Sequence, residues 1–300
     1  MATISIEELF LVTLVLVDDW YQQKGQYLRH RTVGGKPVFS DSEMLTLMLA
    51  IDFFEFSSER RYHAFIAANY RALFPQLLDQ SQYNRRARSL RYLLNELRKD
   101  WASQLGVYWE NHFLLDTTPV MVVGYRRDKS HSHFRGSADY GYCAARRLKY
   151  FGYKLVMLTT LDGTPYSFEL VPANTDERDA ADEILDTLPI NSNVWSDKGF
   201  IGDDWQAAWQ DQGVFVWTAK RKNQKEQNPP AFDQLLNQVR ERIEGAYDIL
   251  KEGGRSVEKT LAITVEGLAS RIIAKISSVT LRLFLRKFFG IDVLTYTVNS

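Results

Sequence analysis

The chain has 300 residues, 45% hydrophobic and 25% charged, and its 37 Lys and Arg balance 37 Asp and Glu to a formal net charge of zero. That size allows one large domain plus a smaller one, and the neutral balance argues against a partner gripped by bulk charge, so any polyanionic ligand needs local clusters. A single cysteine, Cys143, excludes an intramolecular disulfide and fits a reducing cytoplasm. The N-terminal apolar run 9–17 is too short to span a bilayer, and Glu7 and Glu8 precede it where a signal peptide carries positive charge. A cytoplasmic protein without membrane association is therefore expected.

The first hundred residues read as helical. Ser40-Asp41-Ser42-Glu43 has the capping-box form ahead of Met44, Leu45, Leu47, Met48 and Ile51, so a helix is predicted to start there. Further helices are predicted near 59–73 and 83–110, with Pro75 in the break and Arg85, Arg86 and Arg88 at the start of the last one. A helix-turn-helix reading DNA and a small bundle used for dimerisation leave the same pattern here. From residue 113 the signals become those of strands. Residues 113–115 and 120–123 are apolar, and 153–160 and 166–171 flank Leu161-Asp162-Gly163-Thr164-Pro165, a strong hairpin cue. Then follow a helix near 176–188, a short strand ending at Ser196, a helix 203–211, a strand 214–218, a helix 232–250 and an amphipathic tail 264–289. Antiparallel strands followed by alternating helix and strand form the succession of a ribonuclease H-like mixed α/β sheet flanked by helices. The expected division is an all-α N-terminal domain, 1–110, for DNA binding or dimerisation, and a catalytic domain, 111–300, that includes the C-terminal helices.

Three acidic residues stand in settings that suit a shared metal site. Asp116 follows Phe113-Leu114-Leu115, Asp197 follows Val194-Trp195-Ser196, and Glu244 lies in the helix-like Arg240-Glu241-Arg242-Ile243-Glu244. Two or three carboxylates can hold hard cations such as Mg²⁺, with phosphate oxygens completing the shell. Any one of them alone is more often a solvated or paired surface charge. Arg240, Glu244 and Lys251 recur on nearly one helical face at ~100° per residue; the plain alternative is an i, i+4 pair worth a few tenths of a kcal/mol. Basic residues cluster at 85–99, at 126–149 (with Arg146, Arg147 and Lys149) and at 220–225, and Tyr140, Tyr142, Tyr150 and Phe151 are interleaved with the second cluster. Such clusters track phosphates, with the rings as surfaces for unpaired bases. His131 and His133 lack a matching third ligand for zinc.

The phrases "FLLDTTPV", "WSDKGFIG" and "RERIEGAYDILK", in that order, resemble the DDE transposases of prokaryotic insertion sequences, and "DSEMLTLMLA", "QYNRRARSL" and "ITVEGLASRI" resemble the insertion sequence 982 family. The resemblance runs from about residue 40 to about residue 285. It implies that Asp116, Asp197 and Glu244 are catalytic and hold two Mg²⁺ ions, with Mn²⁺ as a substitute. It further implies that Arg240, Lys251 and Lys198 contact phosphates and that the chain handles double-stranded DNA, element terminal repeats and target alike, as a homodimer. The chain departs from the pattern at Val156, where relatives carry a histidine, and at Asn237, where they carry a tyrosine. A structure-selective nuclease of the same fold and a catalytically silent DNA-binding regulator remain open as rival readings; a carboxylate-pair sugar hydrolase is a weaker one.

Overall fold

The computed structural model describes residues 3–29, 37–127, 129–144, 146–220, 227–251, 256–258, 260–293 and 295–296; the side chains of residues 240, 243, 244, 246, 247, 249 and 251 lie outside this set. The chain divides into two compact units, Met1–Leu105 with Glu252–Ser256 and Leu261–Ser300, and Gly106–Lys251 with Val257–Thr260.

The N-terminal segments form helices α1 (Ile6–Trp20), the short turn α2 (Gln26–Leu28), α3 (Asp41–Ala50), α4 (Glu59–Asn69) and α5 (Gln80–Leu105). Two reciprocal capping boxes start α1 and α3. Ser5 Oγ accepts from the Glu8 amide at 3.2 Å while Glu8 accepts from the Ser5 amide at 2.7 Å, and Ser40 and Glu43 repeat the exchange at 3.1 and 2.6 Å. Asp79 begins α5 by accepting from the amides of Ser81 and Gln82 at 2.8 and 2.9 Å. Helix α3 is apolar nearly all round and is buried accordingly.

In the second unit the chain runs β1 (His112–Val123), β2 (Asp139–Cys143), β3 (Leu148–Thr160), β4 (Pro165–Pro172), α6 (Glu177–Leu185), β5 (Ser192–Ser196), α7 (Asp203–Asp211), β6 (Val214–Thr218) and α8 (Pro230–Lys251). The strands make one sheet in the order β2-β3-β1-β5-β6, with β4 also on β3. Pairing is antiparallel for β1–β3, β2–β3 and β3–β4 and parallel for β1–β5 and β5–β6. Leaving aside β2, this is the ribonuclease H-like order. The Asp-Gly hairpin cue holds: Gly163 takes φ 87° between β3 and β4, which a glycine adopts without strain. Two expected strands at 113–115 and 120–123 are one, β1, continuous through Pro119. The missing amide is tolerated because pairing with β5 covers only His112 to Leu115. Strand β2 was not anticipated; its Asp-Tyr-Gly-Tyr-Cys has no hydrophobic alternation to mark it.

Helix α9 (Val265–Phe289) corrects one expectation. Placed in the second domain from sequence, it packs instead against α5 and α3 in the first unit. Ala274, Leu281, Phe284 and Leu285 join the core of Phe10, Phe39, Phe54 and Phe74, and Trp101 stacks on Phe284 with centroids 5.5 Å apart.

Asp41 sits in this unit 3% exposed. It accepts from Tyr21 Oη at 2.8 Å, pairs with Arg86 Nη2 at 2.6 Å and also pairs with Arg29. Arg86 was expected to meet DNA; its guanidinium is turned inward onto this carboxylate, whereas Arg85 and Arg88 remain exposed. Removing one partner from a buried pair leaves uncompensated charge, so Asp41→Ala is expected to lose about 3–5 kcal/mol in urea unfolding. Asp100→Ala, which breaks the exposed Lys24 pair, is expected to lose under about 1 kcal/mol.

Candidate active site

The register of the central strands builds the site. Strands β1 and β5 pair in parallel up to Leu115 opposite Ser196, strands in a sheet lying about 4.8 Å apart, and the next residues are Asp116, still within β1, and Asp197, the first residue after β5. Alternation then assigns faces. Phe113, Leu115 and Val194 belong to the core that covers the α6 and α7 side of the sheet, whereas Trp195 turns the other way, against Phe232 of α8 at 6.2 Å. Asp116, one residue on from Leu115, shares the α8 face. Helix α8 packs on both β1 and β5, anchored by Phe232 against Trp217 at 5.5 Å and by buried Leu236 and Val239. Glu244 lies two turns beyond Leu236 on this helix. Arg240 and Lys251 share the helix with it, and all three side chains lie outside the described residues.

Asp116 accepts from the Thr117 amide at 2.7 Å. Asp197 is exposed and starts a short 3-10 turn (Lys198–Phe200), where its Oδ1 accepts from the Gly199 amide at 2.7 Å. Lys198 is exposed beside it. A cavity of about 160 Å³ opens at Asp197, lined by Trp195, Lys198, Ala219, Leu236 and Asn237. Val156 is buried opposite Thr117 in the α6-side core, so a histidine there would stand on the face away from Asp116. Among the described residues no three His, Cys, Asp or Glu groups gather closely enough to hold a metal ion.

One further acid lies against the Asp197 turn, and the sequence did not single it out. Glu177, in the first turn of α6, accepts from Thr117 Oγ1 at 3.2 Å. Its carboxyl is held above the usual carboxylate range by burial first and by Asp197 second, with Lys154 opposing. Lys154 Nζ donates to the Thr175 carbonyl at 2.6 Å at the start of the same helix. Glu177 also presses on the Asp197 turn. A Cβ built on Gly199 would overlap Glu177 Oε2, with Glu177 Cδ at 3.0 Å and Asp197 Oδ1 at 2.9 Å. An acid in the first turn of a helix is ordinary dipole chemistry, so nothing in the one-dimensional pattern marked it out.

The expected DNA contacts at 146–149 divide. Arg146 is exposed and is engaged bidentately by buried Glu258 at 2.6 and 2.5 Å. Arg147 and Lys149 are exposed. His131 and His133 are exposed between β1 and β2. Lys220 pairs with Asp203 at 3.5 Å, and Arg221, Lys222 and Lys225 lie outside the described residues.

The sheet order and its flanking helices define a ribonuclease H-like fold. Residues 108–261 match the family model described as Transposase DDE domain. That match covers just over half of the chain, and the chain belongs to this family. No curated protein sequence matches. Among solved structures, the chain is similar to a piggyBac transposase in a synaptic complex with hairpin DNA, seen by cryo-EM, at 11% identity and a TM-score of 0.45, over 95% of this chain and 76% of that one.

The Gly199–Glu177 contact is open to a double-mutant cycle. Gly199→Ala is expected to destabilise the protein, and the loss is expected to shrink in the Glu177→Ala background, which removes the obstructing carboxylate. A coupling of about 0.5–3 kcal/mol in thermal or urea unfolding is anticipated; strict additivity would contradict the contact.

Proposed function

We propose that the chain is a DNA transposase of the insertion sequence 982 type, which cleaves the ends of its element and joins the freed 3′-hydroxyls to target DNA. One observation carries this reading: within a DDE-family domain, the β1–β5 register brings Asp116 and Asp197 side by side on the face that α8, the helix of Glu244, covers.

The donor set fits hard divalent cations, since all three residues offer carboxylate oxygens and Asp197 is open to solvent. Asp116, Asp197 and Glu244 would hold two Mg²⁺ ions, with Mn²⁺ as a substitute. Bound there, the metals supply activation of an attacking water or 3′-hydroxyl and neutralise charge on the departing 3′-oxygen. The chain's own residues position the acids. The sheet fixes the two aspartate backbones, the Gly199 amide orients Asp197, and Glu177 supports its turn from beneath. Arg240, Lys251 and Lys198 grip phosphates around the scissile bond. The DNA partners are the element's terminal repeats and a target duplex, and handling two ends together calls for a homodimer.

The test is incubation of the protein with Mg²⁺ or Mn²⁺ on a plasmid that carries the gene and its native flanking DNA. Wild type is expected to cut at defined flanking positions and to transfer strands. Asp116→Ala, Asp197→Ala and Glu244→Ala are each expected to lower cleavage by at least about a thousandfold while DNA binding persists. Cutting without strand transfer or end preference would indicate a structure-selective nuclease; binding without cutting by wild type would indicate a regulator. Retained cleavage in Asp197→Ala would refute the site.

A further inference from the structure

The segment between β1 and β2 plays no part in the carboxylate site, yet it gathers cations and exposed rings. An open concavity of about 500 Å³ is lined there by Tyr125, Arg126, Arg127, Lys129, Arg135 and Tyr140, with no carboxylate among the described lining residues. Lys129 donates to the Tyr125 carbonyl and stands 5.0 Å from the Tyr140 centroid, 5.4 Å from Phe151 and 5.8 Å from Tyr125. Tyr140 is braced edge-on by Phe151 at 5.0 Å and by Tyr125 at 5.6 Å. The Tyr140 ring is thus braced without being covered, at 49% exposed, and Tyr142 beside it is 56% exposed.

Strand β2 ends the sheet order, so its outer edge carries no further strand. Its alternation puts Tyr140 and Tyr142 on one face, about 6.6 Å apart along the strand, and exposed Lys149 is the cross-strand partner of Tyr142. Fixed aromatic faces beside a cationic concavity match a nucleic acid strand whose bases are unpaired, because a duplex buries its base faces and offers such rings nothing to stack on. An acidic polypeptide would satisfy the arginines and leave the tyrosines idle.

We infer that this surface binds a short unpaired stretch of DNA, with phosphates on Arg126, Arg127, Lys129 and Arg135 and bases on Tyr140 and Tyr142. The inference rests on the transposase reading for its choice of DNA, and it adds a second contact surface that holds strands opened during the reaction.

The full chain is titrated into fluorescent dT8 in EDTA, over a range of salt concentrations, beside an eight-base-pair duplex and a polyglutamate competitor. Wild type is expected to prefer dT8. The double variant Arg126→Ala/Arg127→Ala is expected to flatten the log Kd against log salt slope by about 1.4, at ~0.7 per phosphate contact for single strands. Tyr140→Leu, which keeps apolar bulk against Phe151, and Tyr142→Ala are each expected to weaken dT8 binding about fivefold or more with the slope unchanged. An unchanged slope in the arginine variant, wild-type affinity in both tyrosine variants, tighter duplex binding, or equal competition by polyglutamate would each overturn the proposal. Asp197→Ala is expected to bind dT8 as wild type does. Because binding is read without cleavage, a chain that holds dT8 but never cuts DNA would retire the transposase reading alone.

Discussion

The parallel pairing of β1 with β5 is the constraint on which the second unit depends. These strands are remote in sequence and meet only because the β3–β4 hairpin and the crossover through α6 bring β5 alongside β1. What fixes their register is the apolar layer on the α6 side, where Phe113, Leu115 and Val194 are buried together. A slip of one residue would turn those side chains to the wrong face and carry Asp116 with them. The hydrophobic face therefore determines the placement of the acids, although it contains none of them.

Electrostatics follows from that placement. Within a chain of zero net charge, Glu177 lies against the Asp197 turn. Buried near Asp197, the Glu177 carboxyl is pushed toward its neutral form, and the Thr117 hydroxyl and Lys154 moderate the burden. The basic clusters divide in the complementary way. Arg86 is turned inward onto Asp41 and serves the fold, and Arg146, exposed, is paired with Glu258. Arg85, Arg88, Arg126, Arg127, Arg135, Arg147 and Lys149 are left at the surface. Counting charges along the chain cannot separate these groups, because only the three-dimensional neighbour decides whether a guanidinium is spent internally.

The helical unit is organised by its last element. Helix α9 arrives from the far end of the chain and contributes Leu281, Phe284 and Leu285 to a core otherwise made by α1, α3, α4 and α5. Ser278 Oγ reaches the Leu49 carbonyl at 2.7 Å, and Lys287 Nζ caps the Leu105 carbonyl at 2.6 Å. The first unit is thus made from both ends of the chain, with the sheet-bearing unit inserted between them.

Much of this architecture is written locally. The capping box at Ser40, the Asp-Gly turn, the helix 203–211 and the strand 214–218 follow from short-range propensity and pattern, which is why they were legible in the sequence. The placing of Asp116 and Asp197 just after apolar strand residues was legible too, because those apolar runs leave a local trace. The rest required the fold. Strand β2 is too short and too polar to be marked in the sequence, and it pairs along the edge of β3. The allegiance of α9 depends on which of two apolar surfaces its stripe meets. The role of Glu177 depends on contacts with Thr117, sixty positions before it, and with the Asp197 turn, about twenty positions after it. Sequence determined the elements and the acids, since those depend on neighbours along the chain; tertiary structure alone decided which charges face solvent and which acids share a site, since those depend on neighbours across it.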